Sequence, residues 1–311
     1  ENKAPDLSFV FSAVHAIAPV VGAGAMIILE STSPVGTMQA IVDRLRDQGT
    51  DPDAFDLAYC PERVLPGRTM IELVENDRVV GGYTPSAAER VARFYRTFVS
   101  GEVLVTNAPT AEMCKLVENA YRDVNIAFAN ELSILADQFG VDVREMISLA
   151  NHHPRVNILN PGPGVGGHCI AIDPWFLVHE NEDEARLIHT ARQVNLRKTS
   201  WVADQVTAQA REIEERRGGV KIACFGLAYK PNTDDLRESP ALEVAKQLTA
   251  AGLDVIVVEP NLKSFAALPL VSISEALEQA DLLVGLVAHQ PVSSINVAER
   301  AVLDFAGAFR L

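Results

Sequence analysis

Basic residues are scarce in this sequence: 27 lysines and arginines stand against 41 aspartates and glutamates, a formal net charge of -14. That deficit excludes broad contact with nucleic acid or an anionic membrane, because both are recognised by massed positive charge. An anionic small ligand is still compatible if basic residues gather locally. Cysteines are few as well, and the four present, Cys60, Cys114, Cys169 and Cys224, form no Cys-x-x-Cys pair. Neither a zinc site nor a disulfide framework is indicated, so no metal is expected and a reduced cytoplasm fits best. A long unbroken apolar run is missing too. The most membrane-like stretch, Phe11 to Leu29, is interrupted by His15, Pro19, Gly22 and Gly24, and no basic segment precedes it as a signal peptide would require. It reads as a helix followed by a buried strand. Repeats and low-complexity segments are absent.

What is present is enough apolar residue, 48% of 311, for two or three domains with their own cores. Short apolar runs, ending at "ESTSPVG" and recurring in "FDLAYCPE", "DRVVGG" and "GEVLVT", alternate with helical patterns such as "SAAERVARFYRTF". That alternation predicts an α/β sheet, whose ligands gather at the carboxyl ends of the strands. Thr32 and Glu62 fall there. From about Thr110 to Arg217 the texture changes to two long amphipathic helices, which need a partner surface, often a second subunit. After Gly219 strands return in "VKIACFGL", "LDVIVVEP", "ADLLVGLV" and "AVLDF". Ser239 before Pro240 reads as an N-cap with proline at the first helical position, and Gly252 as the helix stop. The fold class predicted is α/β: two Rossmann-like domains, the first incomplete, joined by a helical dimerisation domain. The boundaries expected are 1–108, 109–217 and 218–311.

The chemistry centres on "NPGPGVGGHCIAIDP", where Cys169 sits among glycines. Gly162, Gly164, Gly166 and Gly167 would let backbone approach a ligand and leave N–H groups for anionic oxygens, which a structural cysteine does not need. A thiol attacks only as thiolate and wants positive or hydrogen-bonding neighbours. Lys115 and Asn119, four apart on one helix, share a face and are candidates, although a solvated helical lysine is the plainer reading. Asp173 could hold a water or a lysine, or simply start a helix before Pro174. His168 is adjacent to the thiol and would usually point away from it. Glu62 in "CPER" could act as a general base for water, or be a turn carboxylate. Lys230 and Arg237, in "GLAYKPNTDDLRES", lie between a strand and a helix N-terminus, a common phosphate-binding position.

Taken in order, "ESTSPVG", "CPER", "EMCKLVENAYRDVNIAFANE", "GPGVGGHCIAIDP" and "GLAYKPNTDDLRESP" resemble the nucleotide-sugar 6-dehydrogenases that include the UDP-glucose and GDP-mannose enzymes, over nearly the whole chain. Within that family, "GPGVGGHCIAIDPWF" followed by "ARLIHTARQVN" is most similar to the branch acting on UDP-N-acetyl-D-mannosamine. The resemblance implies a four-electron oxidation of the sugar C6 alcohol with NAD as cofactor. It implies Cys169 as nucleophile, Glu62 in thioester hydrolysis, and Lys115, Asn119 and Asp173 supporting oxyanion and water. Thr32 would assist in positioning water or lie near the nicotinamide, Glu62 would also meet the cofactor, and Arg237 would lie near substrate and cofactor. Arg155, Asn157, Gly166 and Lys230 would contact a UDP-sugar, and the chain would act as a homodimer or higher homo-oligomer.

One departure stands out: family members open with a strand, a G-x-G-x-x-G turn and a helix, and nothing here matches. "GAGAMI", Gly22 to Ile27, lacks the third glycine and leads into a strand. The expectation is a chain that begins inside its first domain and binds NAD weakly. Two alternatives stay open: UDP-N-acetylglucosamine or UDP-glucose as substrate, and a noncatalytic nucleotide-sugar-binding or dimerisation module.

Overall fold

The computed structural model describes residues 4–64, 67–179 and 181–310. In chain order the first elements are α1 (Ser8–Ile17), β1 (Met26–Leu29), α2 (Thr37–Asp47), β2 (Asp56–Tyr59), α3 (Thr69–Glu75), β3 (Arg78–Gly82), α4 (Pro85–Tyr95), β4 (Val103–Asn107) and α5 (Ala108–Phe139). There follow α6 (Val143–Ala150), α7 (Asp173–Val178), α8 (Arg186–Arg217), β5 (Lys221–Phe225), α9 (Pro240–Ala250), β6 (Asp254–Val258), α10 (Ile273–Gln279), β7 (Leu282–Gly285) and β8 (Ala301–Asp304). They form two compact units: Glu1–Ala120 with Asp173–Glu184, and Tyr121–Ile172 with Ala185–Leu311. The division falls inside α5, which starts in the first unit and continues into the second.

In the first unit the sheet order is β1-β2-β3-β4. β1 pairs β2 in parallel, β2 pairs β3 antiparallel, and β3 pairs β4 in parallel. Side chains alternate across β2, as strand geometry requires. Leu57 and Tyr59 join Met38, Ile41, Val42 and Leu45 of α2 and Ala108 and Ala111 of α5 on one face. Ala58 and Cys60 join Val91, Tyr95 and Val99 on the other. β1 corrects one expectation: all four of its residues are half-buried rather than buried, because it is an edge strand of this sheet. The α2 N-terminus is held by a distant side chain, since the Glu112 carboxylate accepts from Gly36 N and Met38 N at 2.7 Å each. α4 is capped locally, with Thr84 Oγ1 accepting from Ala87 N and Pro85 at the first helical position.

The second unit holds an all-parallel sheet of order β6-β5-β7-β8. Ile222 and Cys224 of β5 pack with Val206, Ala210 and Ile213 of α8 and Val244 and Leu248 of α9. Ala223 and Phe225 face Ala276, Val292 and Phe309. Ser239 caps α9 through Leu242 N, and Gly252 follows the helix at φ 81. In the same unit α5 and α8 are tied by buried polar contacts as well as packing. Asn130 Nδ2 donates to Asn195 Oδ1 at 2.9 Å, Asn195 Nδ2 to Asp123 Oδ1 at 2.8 Å, and Arg192 pairs with Asp123. Among the described residues no helix is long and apolar enough to cross a membrane.

Candidate active site

In the first unit four of the sequence-predicted residues meet in two pairs. Glu62 and Thr32 follow β2 and β1 at their carboxyl ends, while Lys115 and Asn119 project from α5 and Asp173 opens α7. Lys115 Nζ donates to the Glu62 carbonyl oxygen at 2.8 Å. Asn119 Nδ2 donates to Asp173 Oδ2 at 2.6 Å. Asn119 and Asp173 are both buried. Burial pushes the Asp173 carboxyl up to about 6, against the opposing Asn119 hydrogen bond and Lys115 charge. It is therefore a carboxylate at neutral pH that takes a proton with little further cost. Thr32 lies half-buried in the turn between β1 and α2.

The Glu62 carboxylate is oriented from one side. Its Oε1 accepts from Arg63 N at 2.6 Å, Val64 N at 3.0 Å and Arg78 Nη1 at 3.4 Å. Arg78 itself is 1% exposed, gives its other terminal nitrogen to the Leu73 carbonyl, and lies 5.7 Å from the Tyr95 ring centre. Arg63 pairs with Glu118.

Cys169 belongs to the second unit, and the chain passes from it to Asp173 in four residues. None of the four cysteines is in a disulfide. Burial pushes the Cys60 thiol up to about 11 and the Cys224 thiol up to about 12, which leaves both unreactive. Cys169 is half-buried, and the loop before it is anchored at several points. Gly162 N donates to Asn130 Oδ1, Thr199 Oγ1 to the Pro163 carbonyl, and Gly167 N to the Arg237 carbonyl at 3.0 Å. Gly167 has φ 84, and a Cβ there would stand 2.9 Å from the Tyr229 ring. At Gly166 a Cβ would meet the Glu238 carbonyl oxygen at 2.5 Å and Tyr229 Cβ at 2.8 Å. The glycines are thus required by the close approach of the 229–238 loop.

That loop carries Lys230 and Arg237. Lys230 is half-buried with its Nζ 5.4 Å from the Tyr229 ring centre. Arg237 is exposed, and its guanidinium holds Asp235 through Nε at 2.9 Å and Nη2 at 2.6 Å. This contact pulls the Asp235 carboxyl down to about 2. Arg155 and Asn157 are exposed in the segment after α6. His168 is exposed beside Cys169.

A dinucleotide needs a helix N-terminus for its pyrophosphate and strand ends for its nicotinamide. In the first unit the α2 N-terminus is already taken by Glu112, so it does not fit the pyrophosphate. Thr32 and Glu62 stand just beyond the carboxyl ends of β1 and β2, the edge at which α/β sheets take their ligands. Among the described residues no group of three or more His, Cys, Asp or Glu side chains could hold a metal ion.

Comparison with known proteins gives the family. Models of the UDP-glucose/GDP-mannose dehydrogenase family match in three places: its NAD binding domain at residues 1–99, its central domain at 109–197 and its UDP binding domain at 223–309. The chain belongs to this family. It is an NAD-dependent nucleotide-sugar dehydrogenase in class. A UDP-N-acetyl-D-mannosamine dehydrogenase of Escherichia coli (strain K12) is 51% identical, over 98% of this chain and 78% of that protein. An NDP-N-acetyl-D-galactosaminuronic acid dehydrogenase of Ralstonia nicotianae is 50% identical, over 99% and 76%. Among solved structures, a UDP-D-ManNAc dehydrogenase from Pyrococcus horikoshii superposes with a TM-score of 0.91 at 38% identity, covering 100% of this chain and 75% of that one.

Sequence reasoning passed over Arg78, the Asp123–Arg192–Asn195–Asn130 network, and the buried pair Glu259 and His289. The last two carried a usable signal, since both follow apolar strand runs in a parallel sheet, as Glu62 does in its own.

Proposed function

We propose that the protein oxidises the C6 alcohol of UDP-N-acetyl-D-mannosamine to the carboxylate, with Cys169 holding the intermediate covalently. Bound NAD supplies the hydride acceptor for both oxidations, so one alcohol, two NAD⁺ and one water become one carboxylate, two NADH and three protons. Once the aldehyde forms, the Cys169 thiolate adds to its carbon and makes a C–S bond, and the oxygen becomes an oxyanion, whose stabilisation is assigned to Lys115 and Asn119. Oxidation of that thiohemiacetal leaves a thioester. Water, deprotonated by Glu62 or Asp173, then attacks the thioester carbon; the C–S bond breaks and the thiolate is restored. Covalent capture keeps the aldehyde from escaping between the two oxidations.

The observation carrying this reading is that Lys115 Nζ donates to the Glu62 backbone carbonyl and Asn119 to the Asp173 carboxylate in one unit, with Asp173 four residues after Cys169 in the chain. Arg155, Asn157, Gly166 and Lys230 are assigned to the UDP-sugar, Thr32 and Glu62 to the nicotinamide side, and Arg237 to the cofactor. Residues 1–108, 109–217 and 218–311 are assigned as NAD-binding, helical central and UDP-sugar-binding domains. Tyr121, Phe128 and Leu135, exposed at seven-residue intervals on α5, suit a helix face that pairs with a second copy of the chain. A reducing cytoplasm suits four cysteines of which none is disulfide-bonded.

A second reading, a differently configured 2-acetamido sugar, is favoured by the 50% identity to the galactosaminuronic acid dehydrogenase, almost equal to the 51% of the mannosamine relative. The test counts NADH formed per UDP-N-acetylmannosamine consumed, for the chain alone and for the chain preceded by a relative's G-x-G-x-x-G segment. Two NADH per sugar, with full turnover lost in Cys169→Ala, support the proposal. Turnover of the galacto-configured sugar instead moves the assignment, and no turnover or binding of any UDP-sugar overturns it.

A further inference from the structure

Glu259 and His289 are 3% and 0% exposed, and each follows a strand of the parallel sheet, β6 and β7. Burying a carboxylate and an imidazole is unfavourable unless each is satisfied by partners, so the partners show what the pair is for. Glu259 Oε2 accepts from Leu227 N at 2.8 Å and Ala228 N at 3.0 Å, the two residues leading out of the β5 end. The same oxygen faces His289 Nε2 at 2.9 Å. His289 Nδ1 accepts from the Asn232 backbone N at 3.0 Å and lies 3.1 Å from Asn261 Nδ2. These partners define a neutral ring with its proton on Nε2, because Nδ1 has to accept. Asn232, at φ 58, also receives Gln290 N on its Oδ1. Residues 227 to 232 are therefore gripped at both ends by one buried pair, and Tyr229 and Lys230 lie between the grips.

The grip extends toward the thiol. Tyr229 closes the space over Gly166 and Gly167, and the Arg237 carbonyl receives Gly167 N two residues before Cys169. All of these residues belong to the same compact unit.

We infer that His289 is a positioning residue for the nucleotide-sugar site: with Glu259 it sets the Lys230 loop in the form that takes the UDP moiety. The inference rests on the assignment of Lys230 to the substrate. A merely structural histidine would tolerate or resist substitutions according to fold stability alone; a positioning one distinguishes which of its two nitrogens is replaced.

The experiment measures UDP binding by calorimetry to the full chain without cofactor, alongside thermal melting, for the parent and for His289→Ala, His289→Asn and His289→Gln. Asparagine can place an acceptor where Nδ1 lies, and glutamine a donor where Nε2 lies. The expected result is UDP binding about tenfold weaker in His289→Ala, largely restored by Asn and not by Gln, with Asn and Gln melting alike. Binding by Asn and Gln that tracks melting, or binding unchanged in all three, overturns the inference. In the unsubstituted chain, UDP should slow hydrogen exchange at the Asn232 amide; no slowing despite saturation would equally overturn it. If the parent itself binds no UDP, it is the assignment of Lys230 to the substrate that fails.

Discussion

Asn119 Nδ2 stands 2.6 Å from Asp173 Oδ2, a contact between a helix begun at Ala108 and one begun at Asp173 itself. Both side chains are buried, and the carboxyl titrates near 6 instead of its ordinary 3.8. Its pKa is higher folded than unfolded, so the folded state binds the proton more tightly. The stability this gives is fully present below about pH 4 and is lost as pH rises through about 6. At pH 8 the charged form costs about 3 kcal/mol relative to an unshifted carboxyl. Asp173→Asn keeps an acceptor for Asn119 and removes the charge. It should melt several degrees above the parent at pH 8, converge with it near pH 4, and lose turnover at both. Equal melting at pH 8 would show that the carboxylate is not desolvated.

Asn119 and Lys115 both hold that carboxyl lower than burial alone would leave it. Removing either should raise it further, so whatever turnover survives in Asn119→Ala or Lys115→Met should show its acid limb displaced to higher pH. A pH profile of kcat for each variant checks this; an acid limb that stays in place would remove Asp173 from the titrating role.

Arg78 is a buried guanidinium with few routes of satisfaction. It meets Glu62 Oε1 and the Leu73 carbonyl, while its Nε has no partner among the described residues. A buried charge kept in this way constrains its partner more than it stabilises the fold. Arg78→Met should cost about 2 kcal/mol of stability, less than a fully buried pair because Glu62 is partly exposed. Its larger effect should be slowed release of the Cys169 adduct, seen as an added mass on the intact protein after substrate and NAD. A clean protein mass at steady state would argue that Arg78 does not orient the hydrolytic carboxylate.

The parts of this structure legible in the sequence are those with local causes. Ser239, Pro240 and Gly252 bound α9 because capping and φ preferences act within one turn, and the apolar runs of β2, β3 and β5 announce buried strands. Lys115 and Asn119 could be placed on one helix face by spacing alone. Their partners could not, because Glu62 and Asp173 lie 53 and 54 residues away. Glu112 offers the same lesson: nothing near it in sequence shows that it caps α2, 76 residues earlier at Gly36. β1 read as buried because apolar content reports a residue's preference, whereas its position at a sheet edge is decided by the order of the strands.

Gly166 gives a steric prediction. A Cβ there meets the Glu238 carbonyl oxygen at 2.5 Å, and backbone cannot move aside as a flexible side chain can. Gly166→Ala should destabilise by about 2 kcal/mol, as overpacked sites do, and should change the alkylation rate of Cys169 by iodoacetamide. Gly219→Ala, where nothing lies within 4 Å, is the matched control and should leave both unchanged. An unaltered Cys169 rate in Gly166→Ala would mean that the loop geometry does not govern the thiol.

Lys198 sets burial against its own partners. It is 2% exposed, and burial pulls its amine down to about 7 from 10.5. Because the folded value lies below the unfolded one, the associated stability is present above about pH 10.5 and is lost as pH falls through about 7. A shift of that size corresponds to about 5 kcal/mol against the fold at neutral pH. Opposing it, Nζ donates to Ser133 Oγ at 2.8 Å and stands 3.7 Å from the Trp201 ring centre, with Phe305 beyond. Such contacts contribute about 3 kcal/mol together. The value near 7 is already net of the opposing Asp137 charge and burial still prevails, so Lys198→Met should melt higher than the parent at pH 7, with the gap narrowing steadily toward pH 10. A Lys198→Met that melts lower at pH 7 would mean that the Trp201 and Ser133 contacts outweigh burial, and that the amine stays charged between α5 and α8.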